Sequence, residues 1–352
     1  MKKILMKGNE ALAEGALIAG CAAFFGYPIT PSSEIAEYMA RKMPPKGLTF
    51  VQAESELAAI NMVYGGAATG KRVMTASSGP GLSLKQEGIS FIAEAELPCL
   101  IVNISRGGPG LGGIQPAQSD YFQATRGGGH GDYYTIVLAP SSVQEMMDFT
   151  IQGFELADTY RTPVLVMAEG TLGQMMEPVE IRPEVVPAFE KPWAITGCKG
   201  RKPNIVNTLH LSPDYLEERN RHLFCKYQEI KNKEKRAETF MVEDADIVLV
   251  AFGLLSRIAR KAAMEARRQG IKVGLIRPVT LWPFPAEHIK KAAEQARVFL
   301  SLEISMGQMI EDIKLAVNGK APVELYGRIG IIPSPEEITR QIMLLAEREG
   351  LK

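Results

Sequence analysis

Apolar runs alternate with stretches of helical periodicity along most of this chain. Cys99 to Ile104 (Cys-Leu-Ile-Val-Asn-Ile) is apolar at all but one position, which predicts a strand buried on both faces of a parallel sheet. Thr49 to Gln52, Arg72 to Ala76, Thr135 to Ala139 and Val164 to Ala168 read as further strands. Between them, Leu57 to Ala68 and Val143 to Tyr160 read as helices. Gly8 to Gly26, rich in Ala, Leu and Gly, has helical spacing throughout. Buried strands alternating with helices predict an α/β domain around a parallel sheet.

From about Glu177 to Phe240 the pattern changes. Prolines recur at 178, 183, 187, 192, 203 and 213, and a strongly charged amphipathic helix is predicted from Pro213 to Thr239. This is the pattern of an interdomain excursion with some structure of its own. A second α/β unit follows, with strands at Ala245 to Ala251, Lys272 to Arg277 and Val298 to Glu303. Its helices are predicted at Ser256 to Gln269, Pro285 to Gln295 and Met309 to Val317. The expected organisation is a first domain over 1–180, a linker over 181–240 and a second domain over 241–352. A chain of 352 residues is long enough for two such cores.

Charge narrows the function classes. Lys plus Arg and Asp plus Glu are both 40, so there is no basic field to attract nucleic acid or an anionic membrane surface. Lys7 and Glu10 interrupt the first apolar run below signal-peptide length, and Ala16 to Phe25 is too short to span a bilayer. A cytoplasmic protein is expected. Cys21, Cys99, Cys198 and Cys225 form no CxxC pair and have no histidine at metal-ligand spacing. They are expected to be reduced and mostly buried, and the chain to carry no metal and no iron–sulfur cluster of its own.

Candidate chemistry gathers in the first half. Tyr27-Pro28-Ile29-Thr30-Pro31-Ser32-Ser33-Glu34 is a turn stiffened by two prolines, with Ile29 and Thr30 biased toward extended conformations. Ser32 or Ser33 would cap the helix that follows. Gln52-Ala53-Glu54-Ser55-Glu56 sets two carboxylates at a strand-to-helix junction, and Glu56, preceding an Ala/Gly-rich helix, is the one expected to be buried. Three glycine-rich loops are candidate ligand cradles: Thr75 to Gly81 with Ser77, Ser78 and Gly79, Ser105 to Gly113 with Arg106, and Arg126 to Asp132 with His130. None fits a Walker A sequence or a GxGxxG fingerprint in its strand–turn–helix setting, which disfavours a P-loop NTPase and an ordinary NAD dehydrogenase. His130 taken alone is read as structural or solvated.

Four motifs together carry a resemblance: Tyr27-Pro-Ile-Thr-Pro-Ser-Ser-Glu34, Ala53-Glu-Ser-Glu-Leu-Ala58, Thr75-Ala-Ser-Ser-Gly-Pro-Gly-Leu-Ser-Leu84 and Ser105-Arg-Gly-Gly-Pro-Gly110. The chain resembles the α subunit of the 2-oxoacid:ferredoxin oxidoreductases, which use thiamine diphosphate (ThDP). Gly253 to Pro278 extends the likeness into a transketolase C-terminal-like domain. The run Gly107-Gly-Pro-Gly-Leu-Gly-Gly-Ile-Gln-Pro116 and Thr125 to Asp132 most resemble the branched-chain (2-oxoisovalerate, 3-methyl-2-oxobutanoate) subgroup. The 2-oxoglutarate enzymes are the near neighbour.

The resemblance implies a pyrimidine-type ThDP domain followed by the transketolase-like domain. It implies oxidative decarboxylation of a 2-oxoacid to acyl-CoA and CO2, with coenzyme A as co-substrate and electrons passed to ferredoxin. Glu56 would hydrogen-bond the pyrimidine N1′, and Thr30 and Arg106 would bind the substrate carboxylate. Pro28, Ile29, Thr30, Ser77, Ser78 and Gly79 would line the cofactor. A β subunit would supply the diphosphate and Mg2+ site, with a γ subunit and a ferredoxin-like subunit carrying iron–sulfur clusters. The diphosphate motif, opening Gly-Asp-Gly, has no counterpart here: Gly131-Asp132 is followed by tyrosine. A scaffold subunit that had lost the chemistry predicts decay of Glu56, Thr30 or Arg106, and all three are intact. A chain that transfers the acyl group without oxidation, as transketolases do, is disfavoured by the missing diphosphate half and the Tyr-Pro-Ile-Thr-Pro motif.

Overall fold

The buried apolar runs become strands of two parallel-dominated sheets in a computed structural model, which describes residues 3–184 and 189–351. Pro187 lies outside the described residues. The first half runs β1 (Lys3–Lys7), α1 (Gly8–Ile18), β2 (Ala23–Gly26), α2 (Ser33–Lys42), β3 (Thr49–Gln52) and α3 (Glu56–Ala68). It continues with β4 (Val73–Ser77), α4 (Pro80–Glu94), β5 (Cys99–Ser105), α5 (Tyr121–Arg126), β6 (Ile136–Leu138) and α6 (Val143–Tyr160). Then come β7 (Pro163–Glu169), α7 (Gly170–Gln174), β8 (Met176–Glu180), α8 (Pro213–Lys233) and β9 (Ala237–Phe240). The last part holds β10 (Ile247–Val250), α9 (Gly253–Arg268), β11 (Val273–Pro278), β12 (Thr280–Trp282) and α10 (Ala286–Ala292). It ends with β13 (Val298–Glu303), α11 (Met309–Val317), β14 (Val323–Gly327) and α12 (Pro335–Arg348).

The first sheet has the order β12-β6-β7-β5-β4-β2-β3, parallel throughout except for β12 against β6. Strands β4, β5 and β7 are buried at every position, as continuous apolar runs in a sheet covered on both faces should be. The second sheet is β14-β13-β10-β11-β9, with only β9 antiparallel.

Several elements differ from the expectation. Gly8 to Gly26 is not one helix: Gly20, in the left-handed region at φ +73°, turns the chain, and Ala23–Gly26 pairs between β3 and β4. Phe24 stacks on Phe50 of β3 with ring centroids 5.6 Å apart, a cross-strand aromatic contact that holds the segment extended. The charged helix stops at Lys233, and Ala237–Phe240 becomes an edge strand on β11. Ser32 does sit at the N-cap of α2, but its hydroxyl donates to the carbonyl of Ile29 at 2.8 Å rather than accepting from the helix. Cys21 and Cys99 are buried, the first with its thiol pushed up to about 12 by burial, whereas Cys198 and Cys225 are exposed.

The linker helix α8 is docked rather than free. It buries Leu223, Tyr227 and Ile230, and its Arg219 and Lys226 reach Glu96 at 2.6 and 3.0 Å. Burial opposes ionisation of Glu96, but Lys226 and Arg219 outweigh it and hold the carboxyl down at about 2.

The two halves share their interior. Val248, Val250 and Phe299 of the second sheet pack into the same apolar cluster as the first sheet. Only the face under α9 and α12 has a separate core, with Leu249, Ala259 and Ile342 among its members. Polar groups lock the junction. Gln118 donates its backbone N–H to Ile304 at 2.7 Å, receives the Ile304 N–H at 3.1 Å, and donates its side-chain amide to Phe252 O at 3.1 Å and to Glu169. Glu169, at the end of β7, is buried against the start of α9, where a Cβ on Gly253 would lie 2.1 Å from its Oε1. Gly253 therefore has to be glycine, both for this approach and for its φ of +60°. No described helix is long and apolar enough to cross a membrane.

Burial raises the Glu169 carboxyl to about 7, above its ordinary 4.5. For an acid whose folded value is raised, the stabilisation is complete below the ordinary value and is lost as pH rises through the folded value. The folded protein is therefore expected to lose up to about 3 kcal/mol from this group between about pH 4.5 and 7.5. Glu169→Gln should flatten that part of the Tm-against-pH curve in differential scanning calorimetry. An unchanged slope would show that Glu169 ionises freely at the junction.

Candidate active site

The parallel register decides where the loops emerge. Gly26 pairs with Gln52, Ser77 with Asn103 and Ser105 with Glu169, so the turns after β2, β3, β4 and β5 leave one edge of the sheet together. Ligands of open α/β sheets bind outside that carboxyl edge. Thr30, Glu56, Ser77 to Gly79 and Arg106 all follow these strand ends.

Glu56 opens α3. Ser55, extended at the N-cap, accepts the Ala58 N–H at 3.2 Å, and an acidic residue in the first turn suits the positive end of the helix. Glu56 is only 7% exposed, whereas Glu54 is exposed. On the facing helix α4, a Cβ on Gly81 would lie 2.5 Å from Glu56 Oε1 and 2.4 Å from Ser77 Oγ. Only glycine admits both oxygens at this point. The Ser77 and Ser78 hydroxyls and Arg106 Nε are buried without a hydrogen-bond partner. Such orphaned groups are costly to leave dry, and they mark a wall built for a polar ligand.

Arg106 is 8% exposed and spans two loops. Its Nη1 donates to the Thr30 carbonyl at 2.8 Å and its Nη2 to the Leu111 carbonyl at 3.0 Å. The guanidinium thus ties the proline-stiffened turn to the glycine loop. On one side it lines a cleft of about 640 Å³ with Pro80, Pro109, Asp120, Met306 and Ile329. Thr30 lies in a neighbouring cleft with Ile114, Pro116 and Gln174. Pro28 is exposed and Ile29 half-buried at the rim.

Some contributors escaped the sequence reading. Half-buried Asp120 accepts from Asn103 Nδ2 at 2.9 Å and Ser105 Oγ at 3.2 Å, and burial raises its carboxyl despite nearby Arg106. Lys85 lies wholly buried one helical turn after Gly81. Its four-residue spacing from that glycine was the available signal, since i and i+4 share a helix face. Met306, Gln308 and Ile329 come from the second half of the chain. Arg126 is not at this cleft: it pairs with Asp312 at 3.0 Å and lies over Phe122. His130 is exposed and lines a separate hollow with Glu94 and His210.

The residues present fit an aminopyrimidine ring. A buried carboxylate can meet a ring nitrogen, unpartnered hydroxyls can meet ring and amino groups, and a buried guanidinium stands beside them for an anionic substrate. Among the described residues no group of three or more His, Cys, Asp or Glu is arranged to hold a metal ion.

Comparison with known proteins gives the family. Residues 14–237 match the family described as pyruvate flavodoxin/ferredoxin oxidoreductase, thiamine diphosphate-binding, and residues 245–338 match core domain II of pyruvate:ferredoxin oxidoreductase. The chain is 56% identical over 333 residues to ketoisovalerate oxidoreductase subunit VorB of Methanothermobacter marburgensis, covering 93% of each chain. It is 39% identical over 375 residues to the 2-oxoglutarate synthase subunit KorA of that organism, covering 97% of this chain and 99% of that one. Among solved structures, 2-oxoglutarate:ferredoxin oxidoreductase from Magnetococcus marinus, with 2-oxoglutarate, coenzyme A and succinyl-CoA bound, superposes with a TM-score of 0.84 at 29% identity, over 97% of this chain and 65% of that one. A split-gene transketolase, an inactive β4 tetramer, shares the fold at 13% identity with a TM-score of 0.57, over 96% of this chain and 95% of that one. This chain belongs to the thiamine diphosphate-binding pyruvate flavodoxin/ferredoxin oxidoreductase family and is a subunit of a 2-oxoacid:ferredoxin oxidoreductase.

Proposed function

We propose that this chain is the α subunit of a complex that oxidatively decarboxylates 2-oxoisovalerate, forming the acyl-CoA and CO2 and sending two electrons singly to ferredoxin. The observation that carries the substrate choice is the lining of the Arg106 cleft. It holds one cation, with apolar Pro109, Met306 and Ile329 and a carboxylate, Asp120. One cation suits one substrate carboxylate. A second carboxylate, as in 2-oxoglutarate, would be buried beside Asp120 without a partner. Arg126, the next basic residue along the chain, is engaged by Asp312. Higher identity to a ketoisovalerate subunit than to a 2-oxoglutarate subunit supports the same choice. Pro109 of the glycine-rich loop lines this cleft, whereas Ile114 and Pro116 further along the chain line the one beside Thr30.

Position supports the following roles. Bound ThDP supplies nucleophilic addition to the 2-oxo carbon and an electron sink as CO2 leaves. Glu56 accepts a hydrogen bond from pyrimidine N1′ and so holds a proton at that nitrogen. Ser77, Ser78 and Gly79, with Pro28 and Ile29 at the rim, frame the ring. Thr30 and Arg106 bind and orient the substrate carboxylate. The guanidinium is already held by two carbonyls, so it meets the substrate with little reorganisation.

The diphosphate, its Mg2+ and the iron–sulfur clusters belong to partner subunits in this proposal: a β subunit, a γ subunit and a ferredoxin-like subunit. Exposed Tyr27, Leu57, Leu84 and Leu111, each within a few residues of a site residue, offer apolar surface for the β subunit to cover. The division into 1–180, 181–240 and 241–352 is kept as part of this proposal.

In the assembled complex, kcat/KM for 2-oxoisovalerate should exceed that for 2-oxoglutarate by on the order of a hundredfold. Equal or reversed preference in a side-by-side assay would refute the single-cation argument. Glu56→Gln should abolish substrate-dependent reduction of a viologen dye while assembly persists, with Glu54→Gln nearly unaffected. Normal dye reduction by Glu56→Gln would remove Glu56 from the chemistry.

A further inference from the structure

Lys85 is 0% exposed, although lysine is among the residues least often fully buried. Its ammonium makes one hydrogen bond, to Thr75 Oγ1 at 3.2 Å, leaving two of its three donors without a bond. A cation stripped of water for so little return is costly to the fold. Packing alone does not explain it, since a methionine or leucine would fill the same space.

The surroundings supply a reason. Thr75 and Ser77 lie on one face of β4, two residues apart, and Gly81 and Lys85 on one face of α4. Ser77 Oγ and Glu56 Oε1 converge on Gly81, and Lys85 follows one turn later. The three elements β4, α3 and α4 thus enclose a single polar seam within the core, with Glu56 at its open end. From α3 the charge facing Lys85 is Glu56, and from β4 it meets only the Thr75 hydroxyl. Glu56 is the charged group whose field favours the ammonium. The two are not in direct ion-pair contact, so the Glu56 carboxylate stays free for a ligand.

We propose that Lys85 is the positioning residue for Glu56: its buried ammonium keeps that carboxylate ionised when cofactor and partner subunit exclude water from the site. This rests on the reading of Glu56 as the partner of pyrimidine N1′. Without a nearby cation, drying a carboxylate favours its protonated form, which cannot accept the N1′ proton. With the cation behind it, the proton stays on the ring nitrogen. Burial lowers Lys85 to about 8, and Glu56 opposes that shift. The ammonium is therefore charged at neutral pH and is lost above about 8.

The test uses the assembled complex with ThDP, comparing wild type, Lys85→Met and Glu56→Gln. Two readouts are taken: the pH profile of kcat/KM with the best 2-oxoacid substrate, and the near-ultraviolet circular dichroism that reports the tautomer of the bound pyrimidine. Lys85→Met should move the acid limb up by at least about one pH unit, a tenfold loss on that limb, and remove the alkaline limb near 8. It should also weaken the imino-form band. If Glu56→Gln is inactive while Lys85→Met keeps the wild-type profile and spectrum, the proposal for Lys85 is overturned and the reading of Glu56 stands. If Glu56→Gln is active, the underlying reading fails first. Should Lys85→Met not assemble, Thr75→Val keeps the charge but removes its only hydrogen bond. Its alkaline limb should move to lower pH, and an unmoved limb overturns the proposal.

Discussion

The parallel register of the first sheet is the constraint on which the site depends. Four strands, β2 to β5, end at the same edge of the sheet, and each hands its chain to a turn that carries a candidate site residue. Side-chain period in a strand is two, so a slip of one residue would turn every buried position of β4 or β5 outward. Both strands are buried on both faces, which makes such a slip prohibitively costly. The core thus fixes the relative heights of Thr30, Glu56, Ser77 and Arg106 before any contact among them forms. Arg106 then ties two of the turns through backbone carbonyls, and Gly81 leaves the space that Glu56 occupies.

The second half of the chain completes the cleft. Gln308 accepts the Phe122 N–H at 2.7 Å and donates to Ser119 O at 2.7 Å, holding the loop before α5 against α11. Glu303 receives Ser301 and Ser305 hydroxyls and the N–H groups of Gln308, Met309 and Ile310, which fixes the turn that presents Met306. The lining of the Arg106 cleft and the packing of the two halves are consequently coupled. A change at the junction around Glu169 and Gln118 would be felt at the apolar wall as well as in stability.

Much of the fold was legible because buried parallel strands leave continuous apolar runs, as Cys99 to Ile104 does. Short or half-exposed strands leave no such trace. Thr280–Trp282 and Ala237–Phe240 owe their extended state to partners far away in sequence, namely β6 and β11, which local pattern cannot supply. Ala23–Gly26 was hidden because it is only four residues long and directly follows an Ala-rich run with helical spacing. In the site, Glu56 was separable from Glu54 because the helix behind it is small and apolar. The pairing of Arg126 with Asp312, 186 residues away, was not legible, nor was the wall contributed by Met306 and Ile329. Lys85 escaped because a lysine in a helix defaults to the solvent side, and only its register with Gly81 places it within.

The most direct measurement is a structure of the assembled complex with ThDP bound, read at one contact. The account predicts the Glu56 carboxylate within hydrogen-bond reach, about 2.6–3.2 Å, of pyrimidine N1′, with Arg106 and Thr30 facing the reactive edge of the cofactor. A ring nitrogen met by another residue, or a pyrimidine seated away from the β2 to β5 strand ends, would contradict it.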